Sequence, residues 1–320
     1  MIMMNNRKAF TIVELLIVVT IIALLLGILL PSISMVRAKA KETAQKAQFA
    51  AIEMALEAFK QDYGDYPPSN FTGSTPIAQD TYCGAQKLSE ALLGWDLMGF
   101  HPQTAWRVDG YTGTGPLFTL NHPLTDSSYD PSRYRGIATL SERKGPYLEL
   151  AKTNVFKLGD LYNTTNATYV LCDVFKVRKT NNNDSTGKPI MAGSPILYYK
   201  ANTANKTIDP NFTLPANNLT DRIYNYYDNS PITSNKKLTA NGPTGLVHPL
   251  DYPGSSEYTV FYSDKATYIP GTTYGGTGIG YGIRDPRIAS PARPYRPDSY
   301  ILISAGPDGY YGTADDIHNY

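Results

Sequence analysis

From residue 10 to residue 30 the chain is apolar with one interruption, Glu14. Nothing later in the sequence resembles this run. Twenty-one helical residues span about 31 Å at about 1.5 Å each, which matches a hydrocarbon core about 30 Å thick. The pattern therefore predicts a membrane-crossing helix at residues 10–30, behind a short basic segment at residues 1–9 that ends Arg7-Lys8-Ala9. A cleaved secretory signal would have a shorter apolar region and a small-residue cleavage site after it. Here the run instead passes through Leu30-Pro31 into more helix-forming sequence. From Phe49 the periodicity changes: Phe49, Ile52, Leu56, Phe59 and Tyr63 recur every three or four residues, opposite Gln48, Glu53, Glu57, Lys60 and Gln61. That is an amphipathic continuation over residues 31–66 with one face ready to cover a sheet. Gly64 and Pro67-Pro68 supply the stop.

Past residue 67 the pattern weakens. Stretches at 167–177, 196–200, 258–262 and 300–304 are rich in Val, Ile, Leu, Tyr and Phe and read as strands. Residues 87–94 and 148–161 read as short helices. Tracts at 178–195, 201–257 and 265–298 are dominated by Asn, Thr, Pro and Gly and read as loops. The expected fold class is α+β: a long N-terminal helix packed on a small antiparallel sheet, with long loop insertions filling an extracytoplasmic region at residues 67–320.

Composition sharpens this picture in two places. Charged residues make up 18% and Tyr alone accounts for 25 residues, which suits a loop-rich exported protein. The formal net charge of +1 gives no broad basic surface, so no nucleic-acid partner is expected. Two cysteines, Cys83 and Cys172, make one disulfide a candidate outside the cytoplasm, with two unpaired thiols as the alternative.

Candidate chemistry is concentrated at the two ends. A carboxylate inside a bilayer costs roughly 2.5–3.5 kcal/mol, so Glu14 calls for a partner unless it snorkels from one turn inside the membrane. At the other end, residues 304–317 place Pro-Asp-Gly and Asp-Asp on a glycine-rich loop. This is a turn signal, compatible with a solvated loop or with oxygen ligands for Ca²⁺, although the spacing is not that of an EF-hand. Enzymatic patterns are missing. His101, His122, His248 and His318 form no His-Glu-x-x-His pair, there is no Gly-x-Ser-x-Gly elbow, and Gly187-Lys188 lacks the rest of a phosphate loop. Gly276 to Gly282 precedes prolines rather than a helix and reads as a loop. No catalytic residue is assigned.

The segment Lys8-Ala9-Phe10-Thr11-Ile12-Val13-Glu14-Leu15-Leu16 resembles the prepilin peptidase site of type IV pilins and type II secretion pseudopilins. In that family a basic leader ends in a small residue, usually Gly where this chain has Ala9. Cleavage then frees a Phe amine that becomes N-methylated. The resemblance implies cleavage between Ala9 and Phe10 and an ion pair between Glu14 and the Phe10 amine of a neighbouring subunit. Residues 55–67, ending Tyr63-Gly64-Asp65-Tyr66-Pro67, are similar to the helix end of the major pseudopilin. The acidic C-terminal loop is similar to that group's calcium loop, which makes Asp308, Asp315 and Asp316 the implied ligands. The expectations are a pilin-like fold and a structural subunit, not an enzyme, of a secretion pseudopilus. The implied partners are further copies and homologous pseudopilins, the peptidase, and the inner-membrane platform with its ATPase. The implied topology is single-pass in the inner membrane with a cytoplasmic N-terminus, followed by a periplasmic or extracellular filament. A type IV pilus subunit for adhesion, motility or DNA uptake shares the N-terminus, and a membrane-tethered surface-binding protein is a further alternative.

Overall fold

The structure is a computed structural model that describes residues 11–71, 82–108, 110, 137–162, 166–205, 222–233, 261, 282–288, 293–312 and 315–320. The chain divides into two units, Met1–Thr43 and Ala44–Tyr320.

In the first unit, helix α1 (Ile12–Tyr63, continuing into the second) is apolar and exposed on every side from Ile12 to Leu29. An all-round apolar helix with no protein cover is soluble only in lipid or against other helices. The helix backbone continues through Pro31, which lacks the N–H that would reach the carbonyl four residues earlier. The end of this unit is polar, with Lys39 Nζ 2.8 Å from Glu42 Oε2.

In the second unit α1 becomes one-sided, as the spacing predicts. Phe49, Ile52, Leu56 and Phe59 are buried, and Tyr63 is half-buried against Phe59 and Phe100, with ring centroids 4.7 and 4.9 Å away. Gln48, expected on the polar side, is half-buried instead: its Nε2 donates to Cys172 O at 2.9 Å, while Gln45 Oε1 accepts from Val174 N at 3.0 Å. Two glutamines thus tie the helix to one strand end. The helix stops at Gly64, where φ is +85° and the N–H reaches back to Lys60 O at 2.7 Å.

The sheet against α1 has three antiparallel strands in the order β5 (Leu197–Lys200), β6 (Tyr300–Ser304), β7 (Ile317–His318). Leu197 pairs with Ile303, Lys200 with Tyr300 and Ile303 with His318. Both faces of β5 and β6 are covered. Tyr198, Tyr300 and Leu302 join the α1 core with Phe49, Leu56 and Phe59. Leu197, Tyr199, Ile301 and Ile303 face a second core containing Leu158, Tyr226, Phe261 and Ile283. Burial on both sides explains why these strands read as continuous apolar runs rather than alternating ones. The described parts of residues 82–285 contribute to both cores: Ala85, Leu158, Tyr226 and Phe261 to the far one, and Leu88, Leu92, Phe100 and Leu171 to the one against α1.

These parts include α2 (Gly84–Leu93), all ten residues of which are buried, with Ala85 in the far core and Leu88, Ala91, Leu92 and Leu93 in the α1 core. They also include the pair β1 (Val155–Lys157) and β2 (Tyr169–Leu171), joined by α3 (Leu158–Tyr162), and α4 (Ser230–Thr233). Residues 148–161 hold short helical pieces as expected, a 3-10 turn at Leu150–Lys152 and the start of α3, with strand β1 between them. Several expectations change here. The strand expected at 167–177 ends at Leu171, because Asp173 turns the chain by accepting from Phe175 N at 3.1 Å and Lys176 takes φ +56°. The tract at 178–195 is a hairpin, β3 (Arg178–Asn183) with β4 (Pro189–Ala192). Its turn is made by Asp184 Oδ1 accepting from Thr186 N and Lys188 N at 2.8 and 3.0 Å. Of the strand expected at 258–262 only Phe261 is described, and the rest lies outside the described residues.

Cys83 and Cys172, the candidate disulfide, are free thiols buried in the same core. Cys83 opens α2, and Cys172 holds Asn154 O through its backbone N–H. Burial pushes both thiols up, Cys83 to about 12. Neither supplies the thiolate that disulfide exchange requires.

The abundance of tyrosine has a structural cause. Tyr198 donates to Pro67 O at 2.7 Å, Tyr224 to Arg296 O and Tyr311 to Pro195 O, all from buried rings. Each ring fills core volume while its hydroxyl satisfies a loop carbonyl.

Three buried acids make stability depend on pH. Glu90 accepts from Tyr82 and Thr104, Asp173 from Ser304 Oγ at 3.1 Å, and Asp228 from Ser69. Burial outweighs these bonds and raises Glu90 to about 7, Asp173 to about 6 and Asp228 to about 6. Because the folded chain holds these protons more tightly than the unfolded one, their contribution grows as pH falls through 7 and 6. It is complete once pH is below the ordinary carboxylate range. Buried Lys87 is lowered to about 8, so its opposite effect lies at higher pH, whereas His101, lowered by burial, opposes the three acids within this range and reduces the net gain. The thermal midpoint is therefore expected to rise between pH 7.5 and 5. Glu90→Gln should flatten that slope by removing a contribution on the order of 2 kcal/mol. A midpoint that falls over the same interval would contradict this account.

Candidate functional site

The first site is the start of α1. Thr11 stands at the N-cap and Glu14 at the third helical position. Thr11 N and Thr11 Oγ1 both donate to Glu14 Oε2, at 2.9 and 2.8 Å, and Glu14 N donates to Thr11 Oγ1 at 3.2 Å. This is a capping box, in which cap and acid satisfy each other's open backbone donors. The residue singled out as an intramembrane anomaly therefore has a local partner within its own chain. The spacing Thr-x-x-Glu is the signal in the sequence for this partner. Ala9 and Phe10, the expected cleavage and methylation residues, lie outside the described residues.

Next to the box, Ile12–Leu29 presents an unbroken apolar surface, with Ile12 82% and Leu24 65% exposed. Thr20 Oγ1 is turned back onto Leu16 O at 2.8 Å, so its polarity is absorbed within the helix. The segment fits membrane anchoring, and its single carboxylate sits at the first turn, where a negative charge complements the helix dipole.

The second site is the C-terminal loop between β6 and β7. Gly306, Gly309 and Gly312 all take positive φ, at 65°, 77° and 86°. A side chain at Gly306 would place Cβ 2.2 Å from Asp315 O, so the chain must pass there without one. The three implied calcium ligands act on the loop's own backbone. Asp308 Oδ1 accepts from Tyr310 N at 2.8 Å, Asp315 Oδ2 from Asp308 N at 2.9 Å and Asp316 Oδ2 from Gly312 N at 2.6 Å. Among the described residues no three His, Cys, Asp or Glu side chains converge as a metal-holding group. Ca²⁺ takes six to eight oxygens, and one oxygen of each of these three carboxylates accepts from an amide of the loop.

Two residues that sequence reasoning missed organise this end. Arg178 Nη2 donates to Gly309 O at 3.0 Å and its Nε to Ser194 Oγ at 3.1 Å. Asp173 accepts from Ser194 N at 3.2 Å and from Ser304 Oγ, joining the chain after β2, the hairpin's return and the end of β6. Asp173 and Arg178 lie 131 positions from their partners at Ser304 and Gly309, and no local pattern announces such pairings.

No curated protein and no solved structure matches the chain. Residues 4–30 match the prokaryotic N-terminal methylation motif, and that match indicates a type IV pilin-like protein.

Proposed function

We propose that the chain is a structural subunit of a type II secretion pseudopilus. Prepilin peptidase would remove residues 1–9 at Ala9, the Phe10 amine would be methylated, and processed subunits would be drawn from the inner membrane into a filament that supports protein export. The observation that carries this is the junction at residues 11–29: a methylation motif running into a capped, wholly apolar, wholly exposed helix with one acid at its start. Such a surface needs lipid before assembly and other helices after it. Secretion, rather than a pilus for adhesion, motility or DNA uptake, is the finer part of the reading. It is supported by the Tyr63-Gly64-Asp65-Tyr66-Pro67 helix end and by the acidic loop closing β6 onto β7.

The test is intact-mass and N-terminal analysis of membrane-extracted protein, with and without active prepilin peptidase. The expected product begins at N-methylated Phe10 and appears only with the peptidase. A chain still starting at Met1 beside active peptidase would overturn the filament reading. Loss of export without loss of surface pili in a deletion strain would support the secretion half, and the reverse would move the subunit to a pilus.

Calcium is expected to leave the thermal midpoint of the full chain unchanged, since Asp308, Asp315 and Asp316 hold backbone amides of their own loop. A rise reversed by chelation and lost in Asp315→Asn would show that the loop re-forms around the ion.

A further inference from the structure

Residues 283–288 and 293–295 pair with each other. Asp285 N donates to Arg293 O at 2.9 Å and Tyr295 N to Ile283 O at 2.8 Å, with Arg284 bridged to Pro294. Beside them lies an open cavity of about 720 Å³ whose charged lining is Arg287, Arg293, Arg296 and Asp285. That volume lies within the range of small-molecule sites, about 300–1,000 Å³.

The arginines differ in a way that matters. Arg296 is compensated by Glu53 at 2.5 Å. Arg287 is 78% exposed yet held in one orientation: its Nε lies 2.8 and 3.1 Å from the two Asp285 oxygens and its Nη2 2.6 Å from Oδ2. An exposed guanidinium fixed this way keeps its outer edge free for a second planar acceptor, with its ordering entropy already lost. Arg293 is exposed and has no ion pair among the described residues. Flat apolar surface lies beside these charges. Pro286 and Pro297 line the cavity with accessible surface, Arg287 Cζ lies 5.9 Å from the Tyr295 ring, and Tyr295 is backed by Tyr320 at 4.4 Å, which in turn packs on His318 at 4.7 Å.

We propose that this cavity binds an oligosaccharide bearing carboxylates, a uronate-type polymer. A sugar carboxylate would take the outer edge of Arg287 or the Arg293 guanidinium, and a pyranose face would lie against the exposed Pro286, the half-buried Pro297 and the half-buried Tyr295. Nucleic acid is the poorer match. Its charge density calls for several cations without partners, whereas Arg287 and Arg296 already hold carboxylates here. The site makes no use of α1's apolar segment and does not depend on filament formation.

The test is calorimetric titration of the full chain in an uncharged, sugar-free detergent. The probes are tetragalacturonate, its neutral methyl ester and an oligothymidylate of equal length. Tetragalacturonate is expected to bind, and the ester to bind at least about tenfold more weakly. Arg293→Gln alone, and with Arg287→Gln, should weaken tetragalacturonate binding by about tenfold or more while circular dichroism stays unchanged. Equal binding of the ester, tighter binding of the oligothymidylate, unaltered affinity in the double variant or no binding at all would each overturn the proposal.

Discussion

Glu14→Ala is expected to reduce recoverable filament at least tenfold while leaving removal of the leader intact, and Glu14→Gln should separate the two roles of the carboxylate. In the chain by itself Glu14 accepts from Thr11 N and Oγ1 and completes the capping box. Loss of that cap costs about 0.5–2 kcal/mol, enough to fray the first turn but too little to prevent assembly. A carboxylate carried into an apolar interior without a cation is worse, and breaking a buried pair costs about 3–5 kcal/mol. The α-amine that the proposed cleavage would create at Phe10 is the nearest such cation in sequence. Gln keeps an oxygen for Thr11 but carries no charge. If the ion pair governs assembly, Glu14→Gln fails as completely as Glu14→Ala, whereas Thr11→Ala, which removes only the hydroxyl, assembles. If Glu14→Gln assembles normally and Thr11→Ala does not, the cap is the determinant and the intersubunit ion pair is wrong. Sheared-filament yield, read beside intact mass to confirm processing, separates these outcomes.

Gly84→Ala is expected to destabilise the second unit by about 3 kcal/mol, against the usual benefit of alanine in a helix. That benefit is at most about 1 kcal/mol and is reduced at a first helical residue. Against it, an added Cβ would stand 2.3 Å from Tyr198 O and about 3.0 Å from Asn229 Nδ2. The nearest atom is strand backbone and cannot swing aside. Asn229 is also the bridge at this point: its Nδ2 donates to Tyr198 O at 2.7 Å and its Oδ1 accepts from Ala85 N at 2.8 Å. The methyl group must therefore part α2 from β5 and open two buried hydrogen bonds together. A lowered urea midpoint with unchanged slope is the expected observation. An unchanged or raised midpoint would mean that α2 does not sit against β5 as described.

The parts legible in the sequence share one property: their cause is local. The apolar run, the Thr-x-x-Glu spacing, the three-and-four stripe from Phe49 and the Gly64 stop each depend on residues within a turn or two of one another. The strands at 196–200 and 300–304 were legible because burial on both faces makes a continuous apolar word. The hairpin at 178–192 was not, since Asn181, Asn182 and Asn183 sit on an exposed ribbon with little apolar surface to mark it. The calcium expectation rests on likeness of a loop, and one oxygen of each of its three acids accepts from an amide of that loop.

The sequence by itself determined the anchoring helix, its cap and its stop, because helix formation and membrane insertion depend on neighbours along the chain. Only the tertiary structure decided that α2 is wholly buried, that Cys83 and Cys172 remain thiols, and that Asp173 joins segments as distant as Ser194 and Ser304. Those outcomes depend on which distant surfaces meet, and a polar residue such as Glu90 or Gln86 enters a core only when partners from elsewhere arrive to satisfy it.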